Sequence, residues 1–173
     1  MNEIAPMATP DRLRILAADL SLRCPGFAVL QYEGGKVSIE RLCHLDNRRS
    51  KATYGEILCA IYDLIAELSS GIDVFVRERA FSRFPHETQA LFRVVGISDL
   101  AVWKLRKAIW EELAPTSVKK LLTGSGKAAK MEVAAAKERV VAGQSYQTDD
   151  ESDAVAVGIA WLQSQNLLGE NSM

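Results

Sequence analysis

Apolar and polar positions in the first part of the chain follow the patterns of β-strands. Residues 13–18 are apolar except for Arg14, which is typical of a strand that is buried on both faces. Two further β-rich runs occupy residues 27–32 and 37–45, and the Gly34-Gly35 pair between them predicts a tight hairpin turn. We therefore expect three antiparallel strands at the start of the domain.

From residue 52 onwards, the spacing of the apolar residues changes to that of a helix. Residues 52–68 space their apolar side chains three and four positions apart, which predicts an amphipathic helix with Cys59 in its core-facing pattern. Residues 72–78 are β-branched and alternating, as in a strand. Residues 84–105 are helical in pattern, and Gly96 predicts an interruption there because glycine weakens helices.

The pattern of the last third of the chain predicts one more strand and three helices. The strand lies at residues 108–113, and the helices lie at 116–122, at 127–141 and from Thr148 to about 165. Thr148 and Glu151 fit a capping box at the start of the last helix. This order predicts an α/β domain with a mixed five-stranded sheet and helices on both faces, spanning residues 13–166 between flexible tails at 1–12 and 167–173.

Composition excludes several classes of protein. A chain of 173 residues suits one domain, and 48% hydrophobic with 25% charged residues is usual for a soluble globular protein. No apolar run is long enough for a membrane span, and we expect no membrane association. Cys24, Cys43 and Cys59 are an odd, widely spaced set, which argues against disulfides and predicts a reducing cytoplasm.

Charge is unevenly distributed although the net charge is only −1. Residues 101–143 contain nine Lys and Arg against four Asp and Glu, a local charge of +5. Residues 144–173 contain five Asp and Glu and no Lys or Arg, a local charge of −5. Such clustering can bind a phosphate backbone, and it is equally compatible with solvated helix faces.

Four carboxylates stand at the ends or starts of predicted elements. Asp19 and Glu78 end two predicted strands, and Asp150 and Asp153 lie one turn apart at the start of the last helix. Each also has a structural explanation. Asp19 could form a turn, Glu78 could pair with a basic residue, and the other two could serve the helix N-terminus. Alternation along the strand separates Glu78 from its neighbours Arg77 and Arg79.

Taken together, the four carboxylates predict a divalent metal site. An oxygen-only donor set selects hard cations, so we expect Mg²⁺, with Mn²⁺ as a substitute. Two such ions per site can clamp a phosphodiester between an activated water and the leaving oxygen. His44 and His86 lack metal-ligand spacing, and structural or surface roles are expected for both.

Four stretches of the chain resemble the RuvC family of Holliday-junction resolvases, which have a ribonuclease H-like fold. They are Ile15-Leu16-Ala17-Ala18-Asp19 with Arg23 and Gly26, Val76 to Phe81, Val118 to Lys130, and Asp150 to Ala156. The third, Lys-x₄-Gly-x-Gly-x₃-Lys, is the most specific. Where the family usually has Asp-Pro-Gly, this chain has Asp19-Leu20-Ser21, and this divergence resembles phage-encoded or plasmid-like relatives.

The resemblance implies roles for individual residues. It implies that Asp19, Glu78, Asp150 and Asp153 form the metal-binding catalytic set. It places Lys119 and Lys130 near the scissile phosphate and the junction backbone, also in the catalytic set. Phe81 would stack on unpaired bases at the crossover. The expected DNA-binding residues are Phe81, Arg23, Lys119, Lys120, Lys127 and Lys130.

The resemblance also implies partners and an activity. We expect a homodimer that acts on four-way or branched DNA in the cytoplasm, associated with the nucleoid, alongside branch-migration machinery. The two active sites of a C₂ dimer would nick a near two-fold junction symmetrically. Three alternatives remain open: a less selective fork or flap nuclease, a non-cleaving junction-binding protein, and a phosphate-binding domain related to sugar kinases.

Overall fold

A computed structural model describes residues 10–80 and 85–169, without the side chains of 85–87. Five strands form one mixed sheet, in the order β3-β2-β1-β4-β5. The strands are β1 (Arg12–Asp19), β2 (Gly26–Glu33), β3 (Lys36–His44), β4 (Val74–Glu78) and β5 (Glu111–Leu113). β1 pairs antiparallel with β2, and β2 pairs antiparallel with β3. β4 lies parallel to both β1 and β5, so the predicted mixed sheet is confirmed.

Five helices cover the two faces of the sheet. They are α1 (Tyr54–Leu68), α2 (Pro85–Arg106), α3 (Pro115–Thr123), α4 (Lys130–Val140) and α5 (Asp149–Ser164). Side chains alternate along β1, so Ile15 and Ala17 face α5 while Leu16 and Ala18 face α1 and α2. Each face therefore closes its own hydrophobic core, and helices on both faces are confirmed.

Two predictions about helices were wrong. α2 continues through Gly96 without a break, because its opposite side buries Val94, Ala101 and Val102, and this packing outweighs the roughly 1 kcal/mol that glycine costs. Cys59 is exposed, because the buried stripe of α1 is Ile57, Ile61, Ile65 and Leu68. Two residues beyond Ile57 is about 200° around the helix, on the solvent side.

The start of α4 and the capping of α5 also differ from their predictions. α4 begins at Lys130 rather than at residue 127, because Glu132 accepts a bond from the Ala129 amide and closes the first turn there. At α5, Thr148 caps the Glu151 amide, but the Glu151 carboxylate accepts from the Gln147 amide instead of completing the capping box. The short α4 leaves the Gly-rich segment before it as a loop.

Arg12 and Leu167, just outside the predicted 13–166, take part in the packed structure, and Leu168 also packs against the core. Arg12 pairs with Glu33 in the sheet, and Leu167 is buried and accepts a 3.2 Å hydrogen bond from the Tyr32 hydroxyl. Residues 1–9 and 170–173, most of the predicted tails, lie outside the described residues. None of the helices described is long and apolar enough to span a membrane.

Arg77 ties the edge of the sheet to α2. Its buried guanidinium donates to Glu112 on β5 at 2.8 and 3.0 Å, and to Ser98 and Asp99 on α2 at 2.8 and 2.6 Å. It also lies over the Trp110 ring. These partners all lie on the α2 side of β4, so Arg77 does not pair with its neighbour Glu78, as the strand alternation predicts.

We expect Arg77→Met to lower the free energy of unfolding by about 2–4 kcal/mol, because it leaves two carboxylates and a buried hydroxyl without their donor. Urea denaturation followed by circular dichroism measures this. Arg79→Met is the matched control. Arg79 is exposed, and its contact with Glu112 is longer than that of Arg77, 3.7 Å between the nearest nitrogen and oxygen. A similar loss in both variants would contradict the role given to Arg77.

Candidate active site

Two of the predicted site residues end neighbouring strands on the same face of the sheet. Asp19 is the last residue of β1 and Glu78 the last residue of β4, and the parallel register pairs Ala18 with Arg77 just before them. Both carboxylates share their strand face with the residues that pack against α5. The sheet alone therefore places Asp19 beside Glu78, under the start of the last helix.

The first turn of α5 brings Asp150 and Asp153 over this pair. Gly26 pairs with Asp19 across β1 and β2, and a β-carbon at Gly26 would collide with the backbone carbon and oxygen of Asp150. Only a glycine allows the helix this close approach. The contact explains how two residues more than a hundred positions apart become neighbours, and why Gly26 follows the first carboxylate in the sequence.

The four carboxylates act on each other electrostatically. Burial, followed by the negative charges of Glu78, Asp153 and Asp150, raises the pKa of Asp19 to about 7. Burial, followed by the charge of Asp153, raises the pKa of Glu78 to about 7. The pKa of Asp153 is also raised, chiefly by burial. The structure thus brings together all four predicted carboxylates and leaves their negative charge largely uncompensated.

This arrangement fits a divalent cation by its chemistry. Carboxylate oxygens are the ligands that Mg²⁺ and Mn²⁺ prefer, and a cation would relieve the repulsion that raises these pKa values. Over the ranges described, no three His, Cys, Asp or Glu side chains already surround one point at ligand distance. The carboxylates converge without touching, as mutually repelling charges do.

Two of the predicted lysines flank the carboxylates from the other side of a groove. Lys119 on α3 counters the burial of Glu78 by lowering its pKa, and Lys130 at the start of α4 does the same for Asp19. A cavity of about 300 Å³ opens between α3, α4 and α5. Its charged lining residues are Glu78, Lys119, Lys130, Lys137, Asp149 and Asp153. Glu78 and Asp153, but not Asp19 or Asp150, therefore share this cavity with the lysines, and Lys130 is paired there with Asp149 at 3.3 Å.

The other predicted DNA-binding residues lie further out. Lys120 and Lys127 are set apart from the cavity lining, and Arg23 is exposed on the connection between β1 and β2. Phe81 lies outside the described residues. In the turn after Asp19, the Ser21 hydroxyl accepts a 2.9 Å hydrogen bond from the Cys24 amide. This bond closes the turn without the Pro-Gly pair that the family usually has.

Sequence reasoning missed a buried pair that holds the start of α5. The Glu151 side chain is only 3% exposed, and its carboxylate lies 2.8 Å from Nδ1 of His44 on β3 and 2.8 Å from the Gln147 amide nitrogen. His44 pairs with Gly26, which pairs with Asp19. His44, Gly26 and Asp19 thus lie side by side on β3, β2 and β1. The start of α5 packs on this row through Glu151 at His44 and through the Asp150 backbone at Gly26. The structural role predicted for His44 is confirmed.

A buried lysine was also missed. Lys137 on α4 donates to the backbone oxygen and the hydroxyl of Ser152, between the two helix aspartates, and lies over the Tyr146 ring. Burial lowers its pKa, which the charges of Asp153 and Asp149 oppose. The contact links α4, which carries Lys130, to the turn that carries Asp150 and Asp153. A lysine in an Ala-rich helical run gave no sequence signal for this role.

Comparison with known proteins adds a family to this geometry. The family model for the crossover junction endodeoxyribonuclease RuvC matches residues 15–161, a span that includes all four carboxylates and both lysines. The chain belongs to the RuvC family. The RuvC of Beijerinckia indica is 29% identical, over 93% of this chain and 98% of its own length. That of Helicobacter pylori strain G27 is 30% identical, over 90% and 99%.

Solved structures agree with the fold. Thermus thermophilus RuvC in complex with a Holliday junction substrate matches with a TM-score of 0.81 at 18% identity, over 90% of this chain and 96% of that one. The Fowlpox virus resolvase, solved with Holliday junction DNA, matches with a TM-score of 0.57 at 13% identity, over 87% and 99%. The sheet and helices described above are thus those of a RuvC, the predicted ribonuclease H-like fold.

Proposed function

We propose that this chain is a metal-dependent endonuclease that resolves four-way DNA junctions. The observation that carries the proposal is the convergence of Asp19, Glu78, Asp150 and Asp153 at one edge of a RuvC fold. Its relatives are crossover junction endodeoxyribonucleases over nearly their whole length. Retention of all four carboxylates favours a nuclease over a non-cleaving junction-binding protein.

In this proposal the carboxylates hold Mg²⁺, with Mn²⁺ as a substitute, and two ions occupy each site. Bound there, the ions would supply activation of the attacking water and stabilisation of the leaving oxygen. The side chains of the protein do the rest. The four carboxylates would supply the oxygen ligands, and the glycine at position 26 and the Glu151 anchor keep α5 in place. Lys119 and Lys130 offset the charge that develops on the phosphoryl group.

A homodimer is part of the proposal, and the exposed side of α2 supports it. Phe92, Leu100 and Trp103 lie on one helical stripe with side chains that are more than half exposed, and Gly96 lies in the same stripe with open space above it. An apolar stripe of this kind suits a second copy of the chain. Two copies related by a two-fold axis would place two active sites on two strands and make paired, symmetric nicks.

Several finer points belong to the proposal as well. The natural substrate would be four-way or branched DNA in the cytoplasm, at the nucleoid, presented by branch-migration machinery. Lys120, Lys127 and Arg23 would contact the backbone outside the catalytic groove, and Phe81 would stack on unpaired bases.

A panel of branched substrates tests this function. The purified chain is incubated with Mg²⁺ and end-labelled four-way junctions, forks, flaps and linear duplex, and cleavage positions are mapped at nucleotide resolution. We expect the highest rate on the four-way junction, with nicks at symmetric positions in opposed strands. Equal rates on forks or flaps would identify a less selective nuclease, and junction binding without cleavage in either Mg²⁺ or Mn²⁺ would contradict the enzymatic role.

A further inference from the structure

The loop between β3 and α1 carries positive charge that the catalytic proposal does not use. Residues 46–51 form this basic loop, which contains Asp46, Arg48, Arg49 and Lys51, with a net charge of +2. Arg48 is paired with Asp46 through bonds of 2.8 and 2.9 Å. Arg49 and Lys51 are exposed, and neither forms an ion pair within residues 10–80 and 85–169. Their charges are therefore available to a ligand.

Hydrogen bonds fix the basic loop against the turn that follows Asp19. The Asn47 amide donates to the Arg23 carbonyl at 2.8 Å, and its side chain donates to the Leu22 carbonyl at 3.2 Å. Just before the loop, the Leu45 amide donates to the Pro25 carbonyl. Three bonds to one short turn hold the loop at the rim of the carboxylate cluster, together with exposed Arg23.

Electrostatics agrees with this placement. Asp46 chiefly raises the pKa of Arg48, and Asp150 contributes as well, so the guanidinium lies within the field of the catalytic carboxylates. The pKa of the Cys24 thiol is raised chiefly by burial, and both Asp150 and Arg48 also act on it, so the thiol is near both side chains. The loop is thus adjacent to the site rather than on a remote surface.

Strand order places this positive charge on the side of the site opposite the two lysines. β2 and β3, which lead into the basic loop, lie on one side of β1, and β4, β5 and then α3 follow on the other. Lys119 and Lys130 approach from α3 and α4. The carboxylate cluster, which repels phosphates, therefore has cationic side chains on two opposite flanks.

We propose that the basic loop, with Arg49 and Lys51 as its main contacts, binds backbone phosphates of the junction strand on the far side of the cleavage point from Lys119 and Lys130. This inference rests on the proposed function and adds a second contact region to it. Exposed Arg and Lys side chains on a fixed loop suit sequence-independent binding of a phosphate backbone. A strand that crosses the cluster would be held at both sides of the phosphate to be cut.

The test measures DNA binding of the full chain with cleavage prevented. In an Asp19→Asn background, the double variant Arg49→Ala/Lys51→Ala is titrated with a four-way junction over a range of salt concentrations. We expect roughly a 3- to 30-fold weaker affinity at about 0.1 M salt, and a slope of log K against log salt that is smaller by about 1–2, one unit for each phosphate that the variant no longer binds. Charge reversal, Arg49→Glu/Lys51→Glu, should weaken binding further.

A matched control removes the same charges elsewhere. Arg12 and Lys36 are exposed at the other end of the sheet, where β1 begins and β3 leaves the hairpin. Arg12→Ala/Lys36→Ala should therefore keep both the affinity and the salt slope of the parent. Arg49→Lys should retain binding because it keeps the charge. Thermal melts check that every variant is folded, which is expected because Arg12, Lys36, Arg49 and Lys51 are all exposed.

The outcomes separate the two proposals. Unchanged affinity and slope in the Arg49/Lys51 variant, or an equal loss in the Arg12/Lys36 control, would overturn the role of the basic loop. Junction binding by the parent with no cleavage by the unmodified chain would defeat the nuclease proposal, while the salt slopes would still test the loop. A parent that binds no DNA at all would overturn both.

Discussion

Asp19→Asn is expected to abolish metal-dependent cleavage while making the metal-free protein more stable. Asn removes one ligand charge from the cluster, and we expect the cleavage rate on a four-way junction to fall by at least about 10³-fold. The same change removes a buried charge that burial and three carboxylates disfavour. We expect a stabilisation of roughly 1–2 kcal/mol at pH 8, seen as a melting temperature about 2–8 °C higher.

The sign of the pH dependence makes this prediction more specific. The folded-state pKa of Asp19 is about 7 and its unfolded value is near 3.8, so the folded state retains the proton between these values. Wild-type stability from this group is complete below pH 3.8 and is lost as the pH rises through 7. The advantage of Asp19→Asn should therefore be largest above pH 7 and should shrink towards pH 4. Calorimetric melts from pH 4 to 8, in the presence of a chelator, measure this.

Asp63→Asn is the matched control, because Asp63 is an exposed aspartate on α1, on the face of the sheet away from the carboxylate cluster. It should change neither the melting temperature nor the cleavage rate appreciably. Added Mg²⁺ should stabilise the wild type more than Asp19→Asn, because the variant has one ligand fewer. Full cleavage by Asp19→Asn, or a lower metal-free melting temperature at pH 8, would contradict the metal-centre assignment.

Glu151→Ala is the second substitution with a large expected effect. It leaves the Gln147 amide without its acceptor and His44 without its partner, and it opens a gap beneath the first turn of α5. We expect unfolding to become easier by about 2–4 kcal/mol. Because the same turn carries Asp150 and Asp153, the Mg²⁺ concentration for half-maximal cleavage should rise about 10- to 100-fold, the usual effect of losing a group that orients metal ligands.

Glu151→Gln separates positioning from simple loss of stability. Its side-chain oxygen can still accept from the Gln147 amide, and its NH₂ can donate to a neutral His44 ring. We therefore expect near-normal Mg²⁺ dependence from Glu151→Gln. Cleavage assays with a Mg²⁺ titration, run well below each melting temperature, distinguish the cases. An unchanged Mg²⁺ requirement in Glu151→Ala would show that α5 is held in place by other contacts.

Local patterns were sufficient for most of the fold and for the positions of the carboxylates. The apolar run that ends at Asp19 and the alternating apolar and polar residues that end at Glu78 are both short-range signals. The end of a strand can be predicted from the residues next to it in the sequence. The roles of Asp150 and Asp153 were less certain, because acidic residues are common at helix N-termini, where they stabilise the helix itself. What makes them part of a site is the close approach at Gly26, which joins segments distant in sequence.

The missed features all depend on long-range contacts. Glu151 satisfied a local capping pattern, yet its main side-chain partner is His44, 107 residues away. Gly96 looked like a helix breaker, but burial on the opposite side of α2 holds the helix together. Cys59 has an apolar side chain and lies two positions from the core residue Ile57. Whether it faces the core or the solvent depends on how α1 is rotated about its axis against the sheet.

The guanidinium of Arg77 also connects the proposed dimer surface on α2 with the strand that carries Glu78. It bonds to Ser98 and Asp99 on α2, whose outer stripe is the proposed dimer surface, and it directly precedes Glu78 in β4. A second copy of the chain that shifts α2 would therefore displace the peptide next to Glu78, a carboxylate of the proposed metal site. In such a dimer, the position of Glu78 in one protomer would depend, through Arg77, on contact with the other protomer.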